Sequence, residues 1–348
     1  MKAAVFYGVG DLRIEERKEP YPKRGELLVK VMTALTCGTD LKTYRRGHSL
    51  VKPPIVIGHE FSGVVEAVGE GIKGFRVGDR VAAANSAPCG SCFYCKKGDE
   101  NLCERLEDHI IGFTQDGAYA EYVIVPQRIV EKNTYALPDD VSYEQAAILE
   151  PLACVVNGNE AASIGLGDSV VIIGSGPIGL LHLQVSRLRG AGEIIVLDAS
   201  KDRLKKAKEL GADHTVEVGI DGGVGDVLSL TDRRGADVVI EAVGRLEAWE
   251  AAMKMCRKGG RVIFFGGCPA GTQLSVDTHA LHYGGLTLKG VFHHTPNTVY
   301  KAYNLIIKKK VDAKSIITDR MSLEELPKAF ESIASGKSLK VAIRIAGP

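Results

Sequence analysis

Cys37, His59, Glu60 and Glu150 supply a thiol, an imidazole and two carboxylates, the donors that a borderline-soft divalent metal such as zinc accepts. Each stands where an apolar pattern breaks: Cys37 in Cys37-Gly38-Thr39-Asp40, His59 and Glu60 in Ile57-Gly58-His59-Glu60-Phe61, and Glu150 before Pro151. A metal held there would act as a Lewis acid on an oxygen-bearing substrate. Singly, these residues have plainer readings: a buried thiol, a satisfied core histidine, a carboxylate at a helix start. His59 and Glu60 are neighbours, and neighbours within a strand face opposite ways. Both can therefore bind one ion only at a strand end or turn; otherwise Glu60 orients the ligands from behind or exchanges with water.

Cys89, Cys92, Cys95 and Cys103 form a C-x2-C-x2-C-x7-C set. The tight early spacing, with Gly90 and Ser91 between two of them, lets one loop wrap thiolates around an ion, and Lys96-Lys97 can offset the charge. Four thiolates leave no open position, so the expected occupant is a structural zinc. The alternative is an iron–sulfur cluster, whose usual ferredoxin run has a shorter last gap and a following proline. In a reducing compartment this spacing favours metal over disulfides. Cys154, Cys256 and Cys268 lie in apolar settings and are expected to be buried packing residues.

Gly174-Ser175-Gly176-Pro177-Ile178-Gly179 follows an apolar strand and opens a helical pattern. The first glycine allows the tight turn, the second lets backbone approach a pyrophosphate, and the third lets helix and strand pack closely. The helix amino terminus then faces the anion. Asp198 ends the next strand at the expected spacing and can accept hydrogen bonds from ribose hydroxyls, whereas a 2′-phosphate would meet like charge. Lys201 and Arg203 are the nearby cations. The reading favours NAD over NADP.

These residues need two kinds of scaffold. Residues 1 to about 140 read as short strands such as Leu27–Val31, Gly63–Val68 and Asp79–Ala82, punctuated by Gly69, Gly71, Gly74 and Gly78, which suggests a compact barrel-like domain. Ser142 with Gln145 resembles a capping box opening a helix that runs on through Leu149, and Pro151 breaks or restarts it. From Ser169, six apolar strands alternate with amphipathic stretches, the pattern of a doubly wound parallel sheet. The last interval, from Gly266 to Gly285, is rich in Gly, Pro and Thr and is expected to be irregular. Two more helical patterns, Val299 to Lys309 and Leu323 to Ser335, precede a final strand over Val341 to Ile345.

Composition excludes several classes. With 348 residues the chain should hold about two domains. A formal net charge of +1 gives no field for nucleic acid or anionic membrane, and Lys308-Lys309-Lys310 reads as a solvated helix end. No apolar stretch reaches the roughly 18 residues of a membrane span, and the first residues are too short for a secretory signal. A cytoplasmic protein is expected.

Combined, Gly58-His59-Glu60 with Gly63, Cys37-Gly38-Thr39-Asp40, Gly78-Asp79-Arg80-Val81, the four-cysteine lobe, Glu150-Pro151-Leu152 and the glycine fingerprint resemble the zinc-dependent medium-chain alcohol dehydrogenases, and within them the sorbitol and threonine dehydrogenase branch. The resemblance covers essentially the whole chain. It implies an α/β protein with a groES-like β-barrel catalytic domain over 1–152, bearing a structural zinc lobe at about 86–106. A Rossmann NAD-binding domain over 153–290 and a return to the catalytic domain over 291–348 complete it. It implies two zinc ions per chain, NAD, and a homotetramer or homodimer. Cys37, His59 and Glu150 would surround the catalytic metal, with Glu60 bound or displaced. Glu150 stands where alcohol dehydrogenases with a Cys2His set place a second cysteine. Thr39 would bond the alcohol oxygen and pass its proton on, with Lys42 or His48 as terminal acceptor. Lys340 resembles a basic residue that contacts pyrophosphate in relatives. Lys42 replaces a frequent relay histidine, Thr43 a pocket tyrosine of sorbitol dehydrogenases, and His293-His294 their arginine and tyrosine. The implied activity is oxidation of a small secondary alcohol or polyol to a ketone. The alternatives are an L-threonine 3-dehydrogenase and, from another class, a non-catalytic nucleotide-binding relative.

Overall fold

A seven-stranded sheet centred on Leu27–Leu35 carries the residues with metal-binding chemistry. That strand lies between Glu60–Val68 and Lys340–Arg344, antiparallel to both, and also pairs with Tyr122–Val125. Arg80–Ala83 and Thr134–Ala136 extend the sheet on one side and Ile317–Ser322 on the other. Asp11–Glu16, Lys2–Gly8 and Ile55–Val56 form a smaller antiparallel sheet. The computed structural model describes residues 1–219 and 222–345. It divides into one unit of Met1–Ala153 with His294–Pro348 and a second of Cys154–His293.

Register decides which distant residues meet in the first unit. Leu35 pairs with Glu60 on one side and with Ala342 on the other. Thr36 donates its N–H to the Val341 carbonyl at 3.0 Å. Glu60 and Lys340 thus flank the same end of the central strand. Beneath them Val5, Phe6, Val31, Ile57, Phe61, Ile111, Tyr119 and Phe330 are all buried in one apolar core.

Ser142 and Gln145 make the expected capping box, but the helix they open ends at Ala146, and a second begins at Leu149. Pro151 gives the reason: its ring would clash with the carbonyl four residues earlier, that of Ala147. The proline is instead accommodated in the first turn of Leu149–Ala161, which also sets Glu150 at a helix start.

In the second unit, six parallel strands lie in the order His214–Glu217, Glu193–Asp198, Ser169–Ile173, Ala236–Glu241, Cys256–Phe264, Thr287–Gly290. This order reverses beside the first strand in sequence, which is the topological switch point of a doubly wound fold. The central strands are apolar on both faces, as buried parallel strands must be. The Gly266–Gly285 interval is not wholly irregular: Asp277 caps a short helix, Thr278–Gly284, by accepting from the His279 N–H at 2.8 Å. Cys154, Cys256 and Cys268 are half-buried rather than sealed in the core. Among the described residues no helix is long and apolar enough to cross a membrane.

Candidate active site

Cys37 ends the central strand's run and caps the helix Gly38–Arg46, its thiol accepting from the Thr39 N–H at 3.4 Å. One turn on, Asp40 is buried, with its Oδ1 at 3.0 Å from His59 Nδ1. His59 reaches it because Gly58 takes a φ of 95° just before the strand Glu60–Val68 begins. That turn removes the constraint of strand alternation. The ligand atoms of Cys37, His59 and Glu60 all lie within 4.8 Å of one another.

Since Asp40 holds Nδ1, Nε2 is the His59 nitrogen that can act as a ligand, the usual arrangement around a metal-binding histidine. Burial disfavours the imidazolium, yet the charge of Asp40, then that of Cys37, raises His59 well above its ordinary pKa. A half-buried thiol with a buried imidazole and carboxylate at this spacing fits a zinc ion in type and number, with a fourth position left for a further ligand. Glu60 also receives the ammonium of Lys340, which donates as well to the Thr36 carbonyl at 2.9 Å. Burial opposes the Lys340 charge, but Glu60, Cys37 and Glu150 raise its pKa above normal.

The compact trio therefore contains Glu60, and Glu150 is not one of its members. Glu150 Oε1 lies 4.0 Å from His294 Nε2, which is 3.2 Å from Asn85 Oδ1. Thr39 is half-buried at the helix start, Thr43 is buried, and Lys42 is exposed on the same helix. His48 stacks edge-on against Phe113 at 5.1 Å, and Phe113 also contacts His59 at 5.1 Å. Lys340, expected to face a cofactor, is 3% exposed and committed to Glu60 and Thr36, which leaves one ammonium proton for another acceptor. Sequence reasoning missed Asp40's bond to His59, though Asp40 lies one helical turn from Cys37. It also missed Phe113, Asn85 and Tyr119, which no local pattern ties to the site.

In the cysteine lobe, sulfur–sulfur distances are 3.4 Å for Cys92–Cys95, 3.8 Å for Cys92–Cys103 and 3.9 Å for Cys89–Cys95. Tetrahedral zinc with Zn–S near 2.3 Å requires edges of roughly 3.8 Å, and disulfide sulfurs would be far closer. The Ser91 N–H and hydroxyl, then the Cys92 N–H, bring Cys89 down to about 5, favouring the thiolate.

In the second unit, Gly174 turns at a φ of 97°. A Cβ on Gly179 would come within 1.8 Å of the Gly174 carbonyl oxygen, whereas one on Gly176 would meet nothing within 4 Å. Gly176 caps the helix Pro177–Leu188, with Pro177 and Ile178 in its first turn. Asp198 accepts from the Ser175 N–H at 2.7 Å and the Ser200 N–H at 2.9 Å, tying the glycine turn to the strand end. Arg203 lies in the helix Lys201–Glu209 that Ser200 caps.

A doubly wound nucleotide fold in one unit, with clustered thiol–imidazole–carboxylate chemistry in the other, defines the class of zinc-dependent, nicotinamide-linked dehydrogenases. Residues 23–139 match the alcohol dehydrogenase GroES-like domain and residues 177–308 the zinc-binding dehydrogenase domain. The chain is 38% identical to a sorbitol dehydrogenase of Halalkalibacterium halodurans, over 99% of each chain. It is 34% identical to an L-threonine 3-dehydrogenase of Pyrococcus abyssi, over 99% of this chain and 97% of that one. A solved zinc-binding dehydrogenase of Sinorhizobium meliloti bound to NADP superposes with a TM-score of 0.91 and 31% identity, over 99% of this chain and 98% of that one. The chain belongs to the zinc-dependent medium-chain alcohol dehydrogenase family, and it is a dehydrogenase of alcohols.

Proposed function

We propose that the protein oxidises a small secondary alcohol or polyol to a ketone with NAD, in the manner of sorbitol dehydrogenases. The observation that carries this reading is the Cys37–His59–Glu60 trio, its thiol half-buried and its other two members buried, with Asp40 behind His59. Cys37 and His59 hold the catalytic zinc, with Glu60 or Glu150 as the carboxylate ligand. Cys89, Cys92, Cys95 and Cys103 hold a second, structural zinc. When bound, the catalytic zinc supplies Lewis acidity to the alcohol oxygen and NAD supplies the hydride acceptor.

The chain's own residues do the rest. Asp40 fixes the His59 tautomer. The Thr39 hydroxyl, at the start of the helix that Cys37 caps, accepts the alcohol proton as it passes its own on, with the His48 imidazole or a neutral Lys42 amine as terminal acceptor. Gly174, Gly176, Pro177, Ile178 and Gly179 present backbone to the pyrophosphate, and Asp198 accepts from the adenosine ribose and repels a 2′-phosphate. Arg203 supplies a cation to the cofactor's phosphates, whereas Lys340, buried and paired with Glu60, is committed within the first unit. The catalytic domain is 1–152 with 291–348, the cofactor domain 153–290, and the assembly a cytoplasmic homotetramer or homodimer.

An L-threonine 3-dehydrogenase is the second reading, favoured by the relatives of that name at 32–35% identity. The deciding experiment measures zinc per chain and NADH formation on polyols, simple secondary alcohols and threonine. Two zinc ions with turnover on polyols support the reading; turnover on threonine alone transfers it to the second. One zinc and no turnover on any of them refutes both.

A further inference from the structure

Tyr119 is fully buried, and its hydroxyl lies 2.7 Å from Asp40 Oδ2 and 3.0 Å from the Leu35 carbonyl oxygen. The phenol has one proton to give. The charged acceptor is nearer, and charge-assisted bonds are the stronger ones. Asp40's other oxygen faces His59 Nδ1 at 3.0 Å. From these contacts we propose that Tyr119 is a positioning residue for the catalytic metal: its O–H locks the Asp40 carboxylate, which in turn sets the tautomer and direction of His59. This rests on the reading that His59 binds the metal.

Three features make the arrangement specific. The Tyr119 backbone is pinned on both sides, its carbonyl accepting from Ala4 N–H at 2.8 Å and its N–H donating to the Ile57 carbonyl at 3.1 Å. Its ring lies flush on Gly58, where a Cβ would come within 2.7 Å of ring carbons, so no residue with a side chain fits directly before His59. Phe330 closes the ring from another side, edge-on at 6.2 Å. The ring is therefore held without its hydroxyl. The hydroxyl serves Asp40, which at 2% exposed is shielded from the bulk solvent that could replace the bond. Without it, Oδ2 is left buried and unsatisfied, and the carboxylate loses the constraint that aims Oδ1 at His59.

The test compares wild type, Tyr119→Phe, Asp40→Asn and the double variant, each with Co2+ exchanged into the catalytic site. The readouts are the cobalt d–d spectrum and the rate at which EDTA removes the metal. Loss of such supporting contacts costs about 10–100-fold in metal affinity. Tyr119→Phe is expected to release cobalt at least about 10-fold faster than wild type, with the four-cysteine zinc retained and the chain still folded. In the Asp40→Asn background, the same substitution should add almost nothing. Equal release from wild type and Tyr119→Phe, or equal acceleration in both backgrounds, overturns the proposal. Cobalt that never binds outside the four cysteines in wild type overturns the metal reading itself, and the role of Tyr119 with it.

Discussion

Lys340 and Glu60 form an ion pair sealed from solvent, with side chains 3% and 1% exposed and positions 280 residues apart in sequence. The central strand brings them together, because Leu35 registers with Glu60 on one edge while Thr36 bonds Val341 on the other. Burying two charges costs desolvation that their attraction only partly returns, whereas orphaning one of them is severe.

Lys340→Met should therefore destabilise the first unit by about 3–5 kcal/mol, since Glu60 is left charged and buried. Adding Glu60→Gln should recover most of that loss. Urea unfolding of the two single variants and the double measures it. Equal instability of Lys340→Met with and without Glu60→Gln would mean that the lysine stem, not the charge, carries the contribution.

What the sequence made legible was local. A glycine turn, a helix start and cysteines spaced within one loop each follow from a few neighbouring residues, so the doubly wound sheet and the close approach of Gly179 to Gly174 could be anticipated. The helix break before Pro151 shifted by a few residues because a proline acts on the carbonyl four positions back. Cross-strand relations were hidden. Nothing near Tyr119 signals Asp40, and nothing near Lys340 signals Glu60, because strand order and register place them. Whether Glu60 could join Cys37 and His59 depended on a positive φ at Gly58, which a glycine in an apolar run permits without requiring.

The two helix-side glycines of the fingerprint make opposite predictions. Gly179→Ala would drive a methyl to 1.8 Å from a backbone oxygen, so stability should fall by about 1–3 kcal/mol or more. Gly176→Ala has open space and an ordinary φ of −68°, so stability should hold. If that space receives the pyrophosphate, the second variant should raise the KM for NAD while leaving kcat on the alcohol comparatively intact. Thermal melts and NADH fluorescence titration separate the two effects. An unchanged NAD affinity in Gly176→Ala would remove the pyrophosphate from that turn.

His182 makes the second unit sensitive to acid. It is 0% exposed in the helix Pro177–Leu188, and its Nδ1 lies 2.8 Å from Asn159 Nδ2, whose amide oxygen accepts from Ser186 at 2.9 Å. Nδ1 is thus the acceptor and Nε2 carries the proton, with no hydrogen-bond partner among the described residues. Phe265 meets the ring edge-on at 4.6 Å. Burial with no nearby carboxylate depresses its pKa to about 3, against about 6.5 in an unfolded chain. Between those values the unfolded chain binds a proton that the folded one refuses. The contribution is complete above about pH 6.5 and is lost as pH falls, by about 1.4 kcal/mol at pH 5.5. Urea midpoints at pH 7.5 and 5.5 should therefore drop further in wild type than in His182→Gln, which has no such proton to take up. Parallel drops in the two proteins would mean that the folded chain protonates His182 as readily as the unfolded one.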